Sequence, residues 1–93
     1  MANDKQQYEG WANYETWCVN LWLTNDEGLY NDVRELVRRS KGTNSAAEAI
    51  KAYVEEFNPL ADQATVFSDL MNAALSEVDW VEIAEDFLAE QEN

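Results

Sequence analysis

Most of the side chains in this sequence that could do chemistry are carboxylates. Nineteen aspartates and glutamates stand against six lysines and arginines, histidine is absent, and Cys18 is the only cysteine. Two carboxylates can share the roles of general acid and general base when their surroundings separate their pKa values. The neighbours Glu55 and Glu56, and likewise Glu85 and Asp86, point in different directions on a helix, so neither is a predicted catalytic pair.

The other residue types also argue against catalysis and ligand binding. Without histidine, the commonest general base is missing, as are the usual partner of a nucleophilic serine or cysteine and the commonest transition-metal ligand. The three glycines are scattered singly and form no phosphate-binding loop. The oxygen-rich segments 25–28 and 79–90 lack the pattern of an EF-hand calcium loop. We therefore predict that the protein is not an enzyme and has no catalytic residues, cofactor or metal.

The negative charge is concentrated in the C-terminal part. All six bases lie at or before Lys51, whereas residues 52–93 carry eleven acids and supply −11 of the net charge of −13. Such a surface repels nucleic acid and anionic membranes, and it accelerates encounter with basic proteins. The sequence thus predicts a basic protein partner and no direct contact with nucleic acid or a membrane.

The carboxylates between residues 69 and 90 form the candidate partner-binding face. Duplex DNA carries one negative charge per about 1.7 Å of its axis, so closely spaced carboxylates on a helical body could occupy the groove of a nucleic-acid-binding protein. The alternative is a solvated face that only keeps the protein soluble. The residues predicted to take part are Asp69, Glu77, Asp79, Glu82, Glu85, Asp86 and Glu90.

Tryptophans supply a second candidate surface. Three of the four lie between Gly10 and Gly28, which is more apolar surface than a short segment leaves in water. We predict that Trp17 belongs to the core, and that Trp11 and Trp22 are the candidates for an aromatic interface with a protein partner or a second copy.

Hydrophobic periodicity predicts the helices that carry these residues. The first runs from Tyr14 to Leu23 behind an Asn13 N-cap. Its predicted buried face consists of Tyr14, Trp17, Cys18, Leu21 and Trp22. The second follows Asp26 and ends at Gly42, with Leu29, Tyr30, Val33, Leu36 and Val37 facing the core. The basic cluster Arg34, Arg38, Arg39 and Lys41 suits its C-terminal end and is expected to pair with acids such as Glu35.

Three further helices complete the prediction. The third begins at a capping box of Ser45 and Glu48, ends before Pro59, and faces the core with Ala47, Ile50, Tyr53, Val54 and Phe57. The fourth opens near Asp62, stops around Ser76, and buries Val66, Phe67, Leu70, Met71, Ala74 and Leu75. The fifth has Asp79 as N-cap, Glu82 at the capping-box position and Val78 with Ile83 as a hydrophobic staple. Its apolar face is Trp80, Ile83, Ala84, Phe87 and Leu88.

Together these elements predict an all-α protein, a single compact bundle of four to five short helices. We expect a flexible arm over residues 1–9, one helical domain over residues 10–90 and a frayed tail over residues 91–93. No apolar run approaches the roughly 20 residues of a membrane span, and no signal peptide opens the chain. We therefore expect a soluble, cytoplasmic protein.

Several segments resemble a family of small, largely uncharacterised proteins carried by phages, plasmids and bacteria. They are residues 13–17 (NYETW), 21–23 (LWL), 25–28 (NDEG), 70–80 and 83–85. Proteins of this size and acidity on mobile elements often act against host defence, so the resemblance implies an anti-restriction or anti-CRISPR inhibitor of the DNA-mimic type. The alternative is a small helical protein-interaction or regulatory module, dimeric through its aromatic N-terminal region.

Overall fold

The computed structural model describes residues 8–91 and is all-helical over that span. It contains no strand there beyond one isolated antiparallel bridge between Tyr8 and Trp11. The all-α prediction is confirmed. The helices are α1 (Tyr14–Asn25), α2 (Glu27–Arg39), α3 (Thr43–Glu55), α4 (Val66–Ser76) and α5 (Trp80–Gln91).

Four of these helices form the body of the protein. α3 packs most extensively against α5, α2 packs against α1, α3 and α5, and α1 also contacts α5. The remaining helix, α4, belongs to none of these packed pairs and lies at the edge of the body. The core between the four helices consists of Leu23, Val33, Val37, Ala46, Ala47, Ile50, Val78, Ile83, Ala84 and Phe87.

The predicted buried face of α1 is wrong. The residues buried on this helix are Thr16, Asn20 and Leu23, while Tyr14 and Trp22 are exposed. The apolar side chains of α1 point to all sides of the helix, so hydrophobic periodicity could not predict which side faces the core. The structure turns the smaller side chains inward, where Thr16 comes within hydrogen-bonding distance of the residues before α5.

Asn13 and Thr16 join the start of α1 to the turn before α5. Asn13 is the N-cap of α1, as predicted, and its Oδ1 accepts hydrogen bonds from the N–H and the hydroxyl of Thr16, at 2.8 and 2.6 Å. The Nδ2 of Asn13 donates to the carbonyl of Glu77 at 2.6 Å, and the hydroxyl of Thr16 accepts from the N–H of Asp79 at 2.8 Å. We call this set of bonds the α1–α5 clasp.

The predicted start and core face of α2 are confirmed, but its predicted end at Gly42 is wrong, because the helix ends at Arg39 with Ser40 as C-cap and Gly42 precedes α3. Asp26 caps α2 by accepting from the N–H of Leu29 at 2.9 Å, and Val33 and Val37 are buried. Glu35 pairs with Arg38 and Arg39 on the exposed surface, as expected for bases at a helix C-terminus.

Both ends of α3 differ from the prediction. The helix already begins at Thr43 behind Gly42, so Ser45 lies inside its first turn and the Ser45–Glu48 capping box is wrong. It ends at Glu55, and Phe57 therefore follows the helix and is 60% exposed instead of facing the core.

The prediction for α4 is wrong in its start and in its buried face. The helix begins at Val66, where Thr65 and Ser68 form a reciprocal capping box. Ser68 is buried, whereas Val66, Phe67 and Leu70 are 63–66% exposed. The body is already closed by the other four helices, which leaves no core position for the apolar face of α4.

α5 begins as predicted at Asp79, whose Oδ1 accepts from the N–H of Glu82 at 3.1 Å. The predicted capping box is wrong, because the carboxylate of Glu82 accepts instead from the N–H of Ala12. The N–H of Asp79, which a capping box would occupy, is already bonded to Thr16. Val78 and Ile83 both lie in the core.

Candidate protein-interaction surface

Four carboxylates lie along the side of α5 that faces away from the core. Ile83, Ala84 and Phe87 are buried, and the opposite side carries Glu82, Glu85, Asp86 and Glu90, which we call the acidic stripe. Glu85, Asp86 and Glu90 are exposed and Glu82 is half-buried. Within residues 8–91, no base forms an ion pair with the stripe.

Trp11 lies beside the acidic stripe. A two-residue turn through Glu9 and Gly10, both at positive φ (52° and 89°), closes with paired backbone hydrogen bonds of 2.7 and 2.8 Å between Tyr8 and Trp11. The next residue, Ala12, donates its N–H to Oε1 of Glu82 at 3.0 Å. Trp11 thereby packs partly against the core and stands next to α5.

Trp11 and three members of the acidic stripe share one concavity. It has a volume of about 330 Å³ and is lined by Gly10, Trp11, Glu82, Glu85, Asp86 and Ala89. An indole face beside carboxylates is the environment that a guanidinium or ammonium group prefers, through cation–π attraction and charge-assisted hydrogen bonds. The concavity is therefore suited to an arginine or lysine side chain of a partner.

Two members of the acidic stripe interact with each other electrostatically. The pKa of Asp86 is raised above its usual value of 3.8. Partial burial is the larger cause, and the negative charge of Glu90 is the smaller one. Glu90 in turn accepts a hydrogen bond of 2.7 Å from the hydroxyl of Tyr30. An approaching cation would relieve the repulsion between the two carboxylates, which favours its binding.

Glu90 and the remaining predicted acids do not line this concavity. Glu90 lines one of about 490 Å³ together with Arg34 and Arg38. Glu77 and Asp79 line another, of about 510 Å³, together with Glu48 and the base Lys51. Asp69 is exposed on α4, at the edge of the body. The structure therefore places four of the seven predicted acids on α5, three of them beside Trp11, and places the other three elsewhere.

The second predicted tryptophan, Trp22, belongs to a different surface. It is 66% exposed and helps to line a concavity of about 310 Å³ between α1, α2 and the end of α3. We call this concavity the apolar groove; its residues are Cys18, Val19, Trp22, Leu23, Leu29, Val54 and Phe57. Cys18, predicted to be buried, is half-buried in it.

Trp17 lies outside the core, contrary to the prediction. It is half-buried in an aromatic cluster with Tyr8 and Tyr14, whose ring centroids are 4.9 and 5.5 Å from its own. This cluster covers the outer side of α1 and holds the turn that carries Trp11.

Carboxylates also surround the end of α3 near the apolar groove. The hydroxyl of Tyr53 donates to Asp32 at 2.6 Å, and its ring packs edge-on against Phe57. The pKa of Tyr53 is raised to about 12, mainly by burial and secondly by the hydrogen bond to Asp32. The negative charges of Asp26 and Glu56 raise it further. The rim of the groove is thus acidic.

Sequence reasoning missed two features. Thr16 was not singled out because a threonine within a helix carries no signal of a distant partner. The exposure of α4 was missed because an apolar helix face is the same in sequence whether or not a partner covers it.

No group of three cysteine or acidic side chains within residues 8–91 is arranged to hold a metal ion. In the same part of the chain, every helix is too short or too polar to cross a bilayer.

The fold and these surfaces define a small, acidic, all-helical protein with two concave surfaces of different chemistry. The chain belongs to a family of unknown function, DUF7249, which matches residues 4–92. No curated protein and no solved structure matches the chain.

Proposed function

We propose that this protein is a non-enzymatic inhibitor that occupies the nucleic-acid-binding surface of a basic host protein through the acidic stripe. The observation that carries the proposal is the spacing of the stripe. Its four carboxylates lie within residues 82–90 of one helix, which is about 12 Å of helix axis at 1.5 Å per residue. That is one charge per about 4 Å, close to the 3.4 Å per phosphate along one strand of duplex DNA.

The surroundings of the stripe support this function. No base within residues 8–91 forms an ion pair with it, and Trp11 lies beside Glu82, Glu85 and Asp86 as a flat apolar surface for a basic side chain. The resemblance to proteins of phages and plasmids supports a target in host defence, such as a restriction or CRISPR protein.

The test compares two charge-reversed double variants. Glu85 and Asp86 are exposed neighbours on the stripe, and Glu55 and Glu56 are exposed neighbours at the end of α3. Glu85→Lys with Asp86→Lys changes the net charge by the same amount as Glu55→Lys with Glu56→Lys, so the second variant controls for charge alone.

Each protein is used as bait in nuclease-treated host lysate and eluted with salt. We expect wild type and the control to retain a nucleic-acid-binding protein that salt releases, and the stripe variant to lose it, with unchanged helicity by circular dichroism. The captured protein should bind duplex DNA in a mobility-shift assay, and wild type should displace that DNA. Equal retention by both variants, or failure to displace the DNA, would contradict the proposal.

A further inference from the structure

Two apolar surfaces remain uncovered within residues 8–91. One is the outer side of α4, which we call the α4 stripe: Val66, Phe67, Leu70, Ala73 and Ala74. The other is the apolar groove, whose Trp22 and Phe57 are 66% and 60% exposed. Exposed apolar surface of this extent marks an interaction site in a soluble protein.

The two surfaces complement each other in shape and chemistry. The α4 stripe repeats at three- and four-residue steps and contains no charged residue, which is the pattern by which a helix lies in an apolar groove. Asn72 is on a different side of the helix, and the carboxylate of Asp69 borders the stripe next to Val66 and Ala73. Within one chain, the α4 stripe does not lie in the apolar groove, because α4 packs extensively against neither α1 nor α2.

We infer that the α4 stripe of one copy of this chain lies in the apolar groove of a second copy, and that the second copy returns the same contact. Phe57 ends the groove and residues 56–65 lead from it to α4, so the two surfaces are close along the chain. A reciprocal pair of contacts closes a two-fold dimer in which neither copy keeps an unoccupied α4 stripe or apolar groove. This inference goes beyond the proposed function, since none of its residues belongs to the acidic stripe.

The area of these side chains is adequate for a stable dimer. Trp22, Phe57 and Phe67 each expose about two-thirds of their surface, which is roughly 100–150 Å² per ring. Val66 and Leu70, 63% exposed, add to it. Together these five side chains supply more than half of the roughly 800 Å² that each partner buries in a specific interface.

Charge gives the dimer a distinctive dependence on salt. Each copy carries −13, and Asp26, Asp32 and Glu56 lie near the rim of the groove. Two such copies repel each other, and salt screens that repulsion while leaving the apolar contact in place. The dimer is therefore tighter at high salt, whereas a basic segment of another protein in the same groove would be released.

Sedimentation of the full chain at several concentrations tests the inference. We expect a dimer whose dissociation constant decreases with added salt. Phe67→Ser in the α4 stripe and Trp22→Ser in the groove should each raise the constant at least about tenfold. Asn72→Ser on the polar side of α4 is the matched control and should leave it unchanged. A monomer at all concentrations, a dimer that salt dissociates, or a dimer that survives both changes would overturn the inference.

Mixing the two variants tests the reciprocal arrangement. The Phe67→Ser chain keeps an intact groove and the Trp22→Ser chain keeps an intact α4 stripe, so a mixed dimer retains one of the two contacts. We expect the mixture to form dimers at concentrations where each variant alone is monomeric. Because both substituted side chains are largely exposed in the monomer, both variants should keep wild-type helicity. A mixture no more dimeric than its components would contradict the reciprocal contact.

Cysteine cross-linking locates the contact. Cys18 lies in the apolar groove and is the only cysteine of the chain. Under mild oxidation, Leu70→Cys should give a disulfide-linked dimer that is lost when Cys18→Ser is added, and Asn72→Cys, on the polar side, should give little. Equal cross-linking at positions 70 and 72, or a dimer that persists without Cys18, would place the contact elsewhere and overturn the inference.

Discussion

The side-chain oxygen of Thr16 lies 2.8 Å from the backbone nitrogen of Asp79, although 63 residues separate them in the sequence. Thr16 is fully buried, so this bond and its bond to Asn13 are shielded from water. The α1–α5 clasp thus fixes the turn from which α5 and its acidic stripe begin.

Thr16→Val should lower the free energy of unfolding by about 1–3 kcal/mol, because it leaves the N–H of Asp79 without its acceptor. Urea denaturation measures the change. Thr16→Ser keeps the hydroxyl and should lower the free energy of unfolding by less than Thr16→Val. Thr24→Val is the matched control on the same helix: its hydroxyl bonds only to carbonyls of α1, so its loss should cost under about 0.5 kcal/mol. Equal effects at the two threonines would show that the clasp does not contribute to stability.

Asn20→Leu should stabilise the protein by about 1 kcal/mol. The side chain is 8% exposed, and no hydrogen-bond donor among residues 8–91 reaches its Oδ1. A buried polar atom without a partner costs roughly 1–3 kcal/mol, which an apolar side chain of similar size avoids. Thermal and urea unfolding measure the difference, and Asn25→Leu at the exposed end of α1 is the control. A destabilised Asn20→Leu protein would mean that the amide is bonded in solution.

Tyr53 should be among the last tyrosines to ionise in an alkaline titration, with a pKa of about 12. The folded state holds the phenolic proton above the ordinary pKa of 10.0. This contribution to stability is therefore complete below pH 10.0 and is lost as the pH rises toward about 12. Asp32→Asn should lower the pKa, since it removes the charge that accepts the hydrogen bond. NMR of ring-labelled tyrosine follows each residue, and an ordinary pKa for Tyr53 would contradict the burial described for it.

Asp86 should titrate above the ordinary aspartate value of 3.8, mainly because of partial burial. Its ionised form is less favourable in the folded state, so stability from this group is gained as the pH falls through the raised pKa. Glu90→Gln should remove only part of the elevation, because the charge of Glu90 is the smaller cause. Carboxyl-carbon NMR titration checks both statements. A pKa that returns fully to 3.8 in Glu90→Gln would show that repulsion, and not burial, dominates.

The fold was predictable where a helix has one apolar face and clear end signals. α2 combines an Asp26 cap, a face ending in Val33 and Val37, and a basic last turn, and each is found as predicted. α1 lacks such a face, because its apolar residues surround it. The orientation of α1 depends on the long-range contact with Asp79, which local patterns do not contain.

The candidate site was predictable only in part. The carboxylates of α5 share a side because their spacing matches the helical period, so sequence alone placed them together. The position of Trp11 beside them depends on the turn through Glu9 and Gly10, and on the bond from Ala12 to Glu82. Sequence reasoning treated Trp11 and the acids as alternatives, whereas the structure puts them in one concavity.

The α1–α5 clasp also bears on how the chain is synthesised. It joins residues 13 and 16 to residues 77 and 79, so α1 cannot complete these hydrogen bonds until the turn before α5 has left the ribosome. Until then, the inner side of α1 and the core faces of α2 and α3 lack their partners and are exposed to chaperones and proteases. Translation that stops before α5 should therefore release a chain that is degraded rapidly.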